Sequence, residues 1–309
     1  MKNLITGGAG FIGSNLIEKL INNGEEVICI DNLSSGFESN IKKWIDHPKF
    51  KFIYEDIINP VNIKSDRIWH LACPGSPKQY QKDPIKTANT IVLGTLNMLK
   101  LATKNKSRIL IASSSEIYGQ PKNNPQSEFD MGRLDNLNKR SCYAEGKRFS
   151  ETLGYEYNRN FNTDVRIARI FNTYGKNMQV NDGRVISNFI SQNLRGQPLT
   201  IYGDGSQTRS FCFIDDLLDG MEKLMNSKYV KPINLGSDEE ISINDLCDII
   251  RDKINPSIKK IQKPLPEGDP NIRKPDLKLA SNILRWEPKT KLKKGLGYTI
   301  NSFKEIMVY

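Results

Sequence analysis

The feature that most constrains the fold is a strand, a glycine-rich loop and a helix at the beginning of the chain. An apolar run over residues 2–6 leads directly into the loop GGAGFIG, residues 7–13, and an amphipathic helix pattern follows. In a loop of this spacing Gly7 allows a tight turn, Gly10 lets the backbone approach a pyrophosphate, and Gly13 lets the helix pack against the strand. The pattern therefore predicts the first unit of a dinucleotide-binding sheet.

A carboxylate at the end of the second predicted strand completes this dinucleotide signal. Asp31 stands where an acidic side chain accepts hydrogen bonds from both hydroxyls of a ribose. Residues 32–36, which follow it, include no Arg or Lys that would neutralise a 2′-phosphate, so we predict NAD rather than NADP. The predicted cofactor-binding residues follow the first four strands or lie on a later helix: Gly7, Gly10, Phe11, Ile12, Gly13, Asp31, Asn32, Ser35, Gly36, Asp56, Ile57, Leu71, Ala72, Tyr143 and Lys147.

The rest of the chain predicts an α/β fold, a Rossmann-type doubly wound parallel sheet with a smaller C-terminal substrate-binding lobe. Short β-branched runs alternate with helix patterns up to Phe171, and short elements separated by Gly and Pro follow. We assign residues 1–171 plus about 211–236 to the NAD-binding Rossmann domain, and about 172–210 and 237–309 to the lobe. The predicted strands are 2–6, 26–30, 51–54, 67–71, 108–113 and 164–170, with helices near 14–21, 84–104 and 143–160.

Tyr143 and Lys147 form the predicted catalytic pair. Because they are four residues apart in a helix pattern, they lie on the same face, one turn apart. A tyrosine with a pKa of about 10 is a poor base at neutral pH, but a nearby ammonium and the positive charge of a nicotinamide favour its phenolate. Tyr143 would then take a proton from a substrate hydroxyl as hydride leaves. Ser114, at the end of a predicted strand, would hydrogen-bond that hydroxyl and complete a Ser/Tyr/Lys set.

The composition argues against several other kinds of protein. Two histidines are too few for a His-based metal site, and five separated cysteines without a CxxC pair indicate buried, reduced thiols. The net charge of +10 comes from dispersed lysines without a nucleic-acid-binding motif, which indicates a solvated basic surface. The first residues show neither a signal peptide nor a membrane segment, so we expect a cytoplasmic protein with no membrane or nucleic-acid partner.

Motifs along nearly the whole chain resemble those of one family. Between residue 2 and about residue 288 the chain contains TGGAGFIG, DNLSSG, HLA, SSSEIYG, YAEGK, RIFNTYG, NDGRVISNFI, LTIYGDGSQTRSF and IRKPDL. This set resembles the extended short-chain dehydrogenases/reductases that act on nucleotide sugars, and among them most the UDP-glucuronate decarboxylases, or UDP-xylose synthases. Two positions depart from the pattern: Ser114 replaces a frequent Thr and keeps its hydroxyl, and Ile91 replaces a common Asn.

The resemblance implies a closed redox cycle on UDP-glucuronate. NAD oxidises the C4 hydroxyl, the resulting β-keto acid loses its carboxylate as carbon dioxide, and the reduced cofactor returns the hydride to give UDP-xylose. Tyr143 would act as base in the first step and as acid in the last. The related 4,6-dehydratases carry Asp-Glu where this chain has Ser115-Glu116. Ser115 is too weak an acid to expel a hydroxyl, which favours a decarboxylase in which Glu116 orients the sugar or a water.

The resemblance also implies a substrate-binding set. Arg273 is expected at the acidic end of the substrate and Arg209 at its diphosphate. Asn172 is expected to contact the UDP phosphates. Thr200, Ile201 and Tyr202 would line the uracil, and Gly183 and Arg184 would close over the site. The predicted substrate-binding residues are Ser115, Glu116, Asn172, Gly183, Arg184, Thr200, Tyr202, Arg209 and Arg273.

Two other functions remain open at this point. A nucleotide-sugar 4-epimerase uses the same redox pair but lets the keto sugar rotate before it is reduced. A redox sensor would bind the dinucleotide without catalysis, and such a protein is expected to have lost Tyr143 or Lys147, both of which are present. The resemblance further implies a homodimer, in which the helix from Pro84 and the helix carrying Tyr143 form a four-helix bundle with their counterparts.

Overall fold

The computed structural model describes residues 1–265 and 272–307. Its strands in these ranges are β1 (Lys2–Thr6), β2 (Glu26–Asp31), β3 (Phe50–Tyr54), β4 (Arg67–His70), β5 (Arg108–Ser114), β6 (Val165–Ile170), β7 (Thr173–Tyr174), β8 (Leu199–Tyr202), β9 (Thr208–Ser210), β10 (Cys212–Phe213), β11 (Pro232–Leu235), β12 (Glu240–Ser242), β13 (Lys260–Lys263) and β14 (Ile272–Arg273). The α-helices are α1 (Phe11–Asn22), α2 (Pro77–Tyr80), α3 (Pro84–Asn105), α4 (Ser141–Phe161), α5 (Val185–Leu194), α6 (Ile214–Asn226), α7 (Ile243–Ile254), α8 (Lys278–Leu284) and α9 (Leu292–Met307).

Seven strands form one parallel sheet in the order β11-β6-β5-β4-β1-β2-β3. The chain winds outward from β1 to β3 and then crosses back to β4, so the strand order reverses between β1 and β4. Ligands of such sheets bind beyond the carboxyl ends of the strands at this reversal. The predicted Rossmann-type fold is confirmed.

The sheet is covered on both faces, because neighbouring residues of its strands point to opposite sides. On β1, Ile5 packs in the same apolar cluster as Leu16 of α1. Its neighbour Leu4 packs in a second cluster with Met98 of α3. Burial on both faces explains why these strands are nearly continuous apolar runs rather than alternating ones.

Local signals determine where the long helix α3 begins and ends. Asp83 precedes it and accepts a hydrogen bond from the Lys86 amide at 2.9 Å, and Pro84 occupies the first helical position, where no amide donor is needed. The helix ends at Asn105, and the capping residue Lys106 that follows has a φ of 57°, in the left-handed region. It packs lengthwise against α4, so the helix predicted from Pro84 is positioned beside the one that carries Tyr143.

The part of the described chain that follows β6 builds three smaller sheets. These sheets are β12-β9-β14, β13-β8 and β10-β7. One strand of this part, β11, joins the large sheet beside β6, with Ile233 opposite Ala168. The proposed division into a cofactor domain and a lobe stays a prediction. No helix among the described residues is long and apolar enough to cross a membrane.

Candidate active site

A cavity of about 480 Å³ opens at the carboxyl ends of the central strands. The predicted cofactor-binding residues, from Gly7 to Lys147, all line it. So do the predicted catalytic and substrate-binding residues Ser114, Ser115, Glu116, Asn172, Gly183, Arg184, Thr200, Tyr202, Arg209 and Arg273. The structure therefore brings together groups from strands, loops and helices that are far apart in the sequence.

One residue predicted beside the uracil lies elsewhere. Ile201 is only 2 % exposed and belongs to the main apolar core, whereas its neighbours Thr200 and Tyr202 on β8 line the cavity. Successive side chains of a strand point to opposite sides, so these three residues cannot all face one ligand. The prediction for Ile201 was wrong.

The glycine loop leaves no space for side chains on the residues that shape it. A Cβ atom on Gly13 would lie 2.3 Å from the Gly7 carbonyl oxygen, and one on Gly7 would lie 2.7 Å from the Ala72 Cα. Gly7 also has a φ of +74°, which side chains rarely adopt. The close packing of loop, helix and β4 end leaves bare backbone facing the cavity, as a pyrophosphate requires.

Asp31 is held in place by two backbone amides. One carboxylate oxygen accepts from the Ala9 amide at 2.9 Å and the other from the Leu33 amide at 2.8 Å. Burial raises the pKa of Asp31, and these two amides lower it. Each oxygen keeps a lone pair for a hydroxyl. Behind it, Asn32 donates to Asp56 at 2.8 Å and orients that second carboxylate. These residues fit an adenine dinucleotide with a free 2′-hydroxyl.

Tyr143 and Lys147 are both buried and lie one turn apart on α4. The Lys147 ammonium is 5.7 Å from the centre of the Tyr143 ring and donates to the Ala112 carbonyl at 2.7 Å. This bond fixes the ammonium at the end of β5, directly before Ser113 and Ser114. The strand therefore determines how closely the charge of Lys147 approaches the phenol.

The pKa of Tyr143 is held above its usual range. Burial is the main cause, followed by the nearby Cys73 and Glu116, whereas a hydrogen bond with Ser114 and the charge of Arg184 lower it. The sequence predicts that Lys147 favours the phenolate, and this stays a prediction. In the structure Ser114 and Arg184 also favour it, and a nicotinamide charge would add to them.

Glu116 is surrounded by partners that the sequence did not reveal. The Arg140 guanidinium donates to its two oxygens at 2.9 and 3.3 Å, and the Tyr80 hydroxyl donates at 3.1 Å. A guanidinium nitrogen of Arg273 lies 3.9 Å from the same carboxylate. Glu116 is thus a buried anion between two arginines, and the expectation that it orients a sugar or a water stays a prediction.

Sequence reasoning missed Arg140, which lines the cavity, and Tyr80, which does not line it but contacts Tyr143 and Glu116. Arg140 directly precedes α4, about one turn before Tyr143, so its position in the sequence was an available signal. Tyr80 closes the short helix α2, and nothing in the sequence connects it with Tyr143. In the structure the two tyrosine rings are stacked, with centres 4.8 Å apart and planes 12° apart.

The substrate side of the cavity is built by the smaller sheets. Arg273 on β14 stands opposite Arg209 on β9 in the parallel pairing, so the two predicted anion-binding residues are neighbours. Arg184 pairs with Asp182, and its guanidinium lies 5.5 Å above the Phe11 ring of the cofactor loop. Arg184 therefore connects the glycine loop with the substrate side.

The fold and this Ser/Tyr/Lys site define a short-chain dehydrogenase/reductase of the extended type. The family model described as GDP-mannose 4,6 dehydratase matches residues 4–299. The chain belongs to the extended short-chain dehydrogenase/reductase family that this model describes, and the resemblance to UDP-glucuronate decarboxylases is confirmed by close relatives.

Relatives and solved structures narrow the position within the family. UDP-glucuronic acid decarboxylase 3 of Arabidopsis thaliana is 49% identical over 98% of this chain and 89% of its own length. UDP-glucuronic acid decarboxylase 1 of Danio rerio is 47% identical over 97% of this chain and 72% of its own length. Among solved structures, the UDP-glucuronic acid 4-epimerase of Bacillus cereus in complex with UDP-glucuronic acid and NAD has a TM-score of 0.88 and 29% identity, covering 99% of this chain and all of its own. DesIV, a dTDP-glucose 4,6-dehydratase from Streptomyces venezuelae with NAD bound, has a TM-score of 0.88 and 26% identity. The match covers 99% of this chain and 97% of DesIV.

Proposed function

We propose that this chain is an NAD-dependent UDP-glucuronate decarboxylase that forms UDP-xylose through a UDP-4-keto intermediate. The observation that carries the proposal is that the buried Tyr143 and Lys147 share one cavity with Glu116 and the arginines beside it. Cations at that place suit a sugar that carries a carboxylate. The names of relatives that are 46–49% identical over nearly the whole chain support the same substrate.

Proton transfer at C4 falls to residues at the end of β5 and on α4. The glycine loop and Asp31 would hold NAD, which would supply the hydride acceptor for oxidation at C4 and the hydride donor for the later reduction. Ser114 holds the C4 hydroxyl, and Tyr143 takes its proton in the first step and gives it back in the last. Lys147, fixed to the Ala112 carbonyl, supplies a positive charge near the phenol.

Loss of carbon dioxide follows from the chemistry of the keto sugar. Once C4 is a ketone, the bond between C5 and the carboxylate can break, because the electron pair moves into the C4 carbonyl. Carbon dioxide leaves, the enolate takes a proton from water at C5, and the ketone is reduced. The protein must therefore hold the carboxylate near cations without protonating it, and we assign this role to Arg273, with Arg209 on the diphosphate. Ser115 offers no acid that would expel a hydroxyl as in a dehydratase.

The remaining assignments are part of the same proposal. Residues 1–171 plus about 211–236 would bind NAD, and about 172–210 with 237–309 would hold the UDP-sugar. Asn172, Gly183, Arg184, Thr200 and Tyr202 would contact the nucleotide end. A cytoplasmic location is supported by five cysteines that are all free in the structure.

A homodimer is also proposed, through the outer faces of α3 and α4. Large apolar side chains are exposed there, including Ile85, Leu93 and Phe149. Two such helix pairs related by a two-fold axis would bury these side chains in a four-helix bundle. Analytical ultracentrifugation of the wild type and of Phe149→Asp tests this proposal, which predicts a dimer for the first and a larger monomer fraction for the second.

The reaction itself is tested by incubating the protein with NAD and UDP-glucuronate labelled with ¹³C at the carboxylate. NMR should show loss of the label from the sugar and the appearance of UDP-xylose. Tyr143→Phe should abolish the reaction, whereas Tyr155→Phe, an exposed tyrosine on the same helix, should not. Formation of UDP-galacturonate with the label retained would instead establish a 4-epimerase. This is the second candidate, because the UDP-glucuronic acid 4-epimerase of Bacillus cereus has a similar fold. Unchanged substrate with folded, NAD-loaded protein would support the redox sensor.

A further inference from the structure

A buried glutamine behind the cavity connects two distant segments. Gln126 is 1 % exposed, and it lies in the connection between the Ser115–Tyr118 turn and α4. Its amide donates to the Lys274 carbonyl at 2.8 Å, and its own carbonyl accepts from the Asp276 amide at 2.7 Å. Its side-chain oxygen accepts from the Lys274 amide at 2.8 Å. One residue thus satisfies three backbone groups around Pro275, which has no amide donor of its own.

The segment that Gln126 holds is the one that carries Arg273. On its other side Arg273 is paired with Arg209 through the short strands β9 and β14, and the Ser210 hydroxyl donates to its carbonyl at 3.3 Å. A strand pairing of only two residues does little to fix the position of a side chain as long as that of Arg273. The bonds from Gln126 to Lys274 therefore determine where the Arg273 backbone leaves the strand.

The anchor for Gln126 is Asn234, which is buried and hydrogen-bonded at both ends of its side-chain amide. The Asn234 amide group donates to the Gln126 carbonyl at 3.0 Å and to the Asp276 carbonyl at 3.3 Å, and its oxygen accepts from the Tyr118 hydroxyl at 2.7 Å. Tyr118 in turn accepts from Arg169 at 3.0 Å. These groups are buried and belong to the central sheet or its end. They therefore fix the segment from Lys274 to Asp276 relative to the sheet.

We propose that Gln126 is a positioning residue that sets the reach of Arg273 into the cavity and thereby determines the affinity for a sugar carboxylate. This inference rests on the proposed function. Gln126 is not among the described residues that line the cavity, so it acts on Arg273 from behind the site. Gln126 favours binding of an acidic sugar indirectly, because it positions the backbone from Lys274 to Asp276 and thereby Arg273.

The test measures binding in the NAD-loaded Tyr143→Phe protein, which cannot turn substrate over. Gln126→Met keeps the length of the side chain and removes its acceptor oxygen. The Kd for UDP-glucuronate, measured by calorimetry, should rise about tenfold, the size of a weakened hydrogen bond to a charged group. The Kd for UDP-glucose, which lacks the carboxylate, should stay unchanged. Gln126→Glu, which keeps an acceptor for the Lys274 amide, should restore part of the affinity.

A double-mutant cycle separates positioning from general damage. In an Arg273→Ala background, Gln126→Met should add no further loss of UDP-glucuronate affinity. Asn158→Leu, which removes a hydrogen bond at the far end of α4, is the control for altered stability. If Gln126→Met does not fold, Gln126→Ala replaces it.

Equal loss of affinity for both ligands, or an additive effect in the Arg273→Ala background, would overturn the inference. Unchanged affinity for UDP-glucuronate would also overturn it. Failure of the proposed function is seen separately, as wild-type protein that releases no carbon dioxide.

Discussion

The ring of Tyr80 is stacked on the ring of Tyr143, with centres 4.8 Å apart and planes 12° apart. The Tyr80 hydroxyl is fixed by its hydrogen bond to Glu116, so the Tyr80 ring cannot slide relative to the Tyr143 ring. The proposed base is therefore held on one face by a residue that is itself tied to a buried anion. This arrangement explains why a tyrosine distant in the sequence belongs to the active site.

Replacing Tyr80 should lower turnover without removing substrate binding. Tyr80→Phe keeps the stacked ring and loses the bond to Glu116, so we expect kcat to fall about two- to fivefold. Tyr80→Leu also loses the stacking and should reduce kcat about tenfold or more. Steady-state kinetics on UDP-glucuronate measure both. Tyr157→Phe on α4 is the matched control, and a similar loss in that variant would contradict the specific role of Tyr80.

Arg140 should control the pH dependence of catalysis. The charge of Glu116 raises the pKa of Tyr143, and Arg140 partly neutralises that charge. Arg140→Met should therefore raise the pKa of Tyr143 further, because an anion beside a phenol disfavours the phenolate. The acid limb of the plot of kcat against pH should move to higher pH. Glu116→Gln should move it to lower pH, and shifts of both variants in the same direction would refute this electrostatic account.

His70 should make the protein less stable as the pH falls. It lies between the Thr6 and Thr95 hydroxyls, at 2.9 and 3.1 Å, and burial, with the charge of Lys147 as a smaller cause, lowers its pKa to about 3. The unfolded chain takes up this proton near pH 6.5 and the folded protein only near pH 3. Between these values the free energy of unfolding should decrease by about 1.4 kcal/mol for each pH unit from this group alone.

Urea denaturation between pH 7 and pH 4 measures this effect. His70→Gln should reduce the slope of stability against pH, whatever its effect on stability at pH 7. His47→Gln, which alters the other histidine of the chain and retains His70, is the control, and the wild-type slope should persist in it. An unchanged slope in His70→Gln would show that other groups cause the dependence.

Gly13→Ala should weaken both cofactor binding and folding. Its Cβ would lie 2.3 Å from the Gly7 carbonyl oxygen and 2.6 Å from the Gly8 Cα, so the loop must shift. We expect a loss of about 1–3 kcal/mol in stability, typical of overpacking, and weaker binding of NAD. Gly297→Ala in α9 places a Cβ with no atom within 4 Å apart from its own stretch of helix and should instead stabilise the protein by up to about 1 kcal/mol. Thermal melting with and without NAD distinguishes the two variants.

The sequence predicted those features whose cause lies in a short stretch of chain. The glycine loop, Asp31 and the spacing of Tyr143 and Lys147 each follow from local geometry, and the alternation of strands and helices gave the doubly wound sheet. Ile201 was misplaced because a resemblance names a segment, while the two-residue period of a strand decides which side chains face a ligand.

The contacts that Tyr80 and Arg273 make with Glu116 could not be predicted, because they arise only when distant segments meet. Tyr80 and Arg273 come from α2 and from β14, and no periodic pattern connects them. The bonds that Gln126 makes around Pro275 are of the same kind. Which residues make such contacts depends on how the whole chain folds around the cavity. That information is not present in any single segment of the sequence.

The place of β11 in the large sheet has a consequence for how the molecule is made. Six strands are complete once residue 170 has left the ribosome, but β6 gains its second neighbour only with residues 232–235. Throughout the intervening synthesis the amides and carbonyls along one side of β6 have no strand to pair with, and open edges of this kind recruit other chains. A gene fragment cut at residue 171 would carry the cofactor loop and the catalytic pair but would keep that edge open permanently.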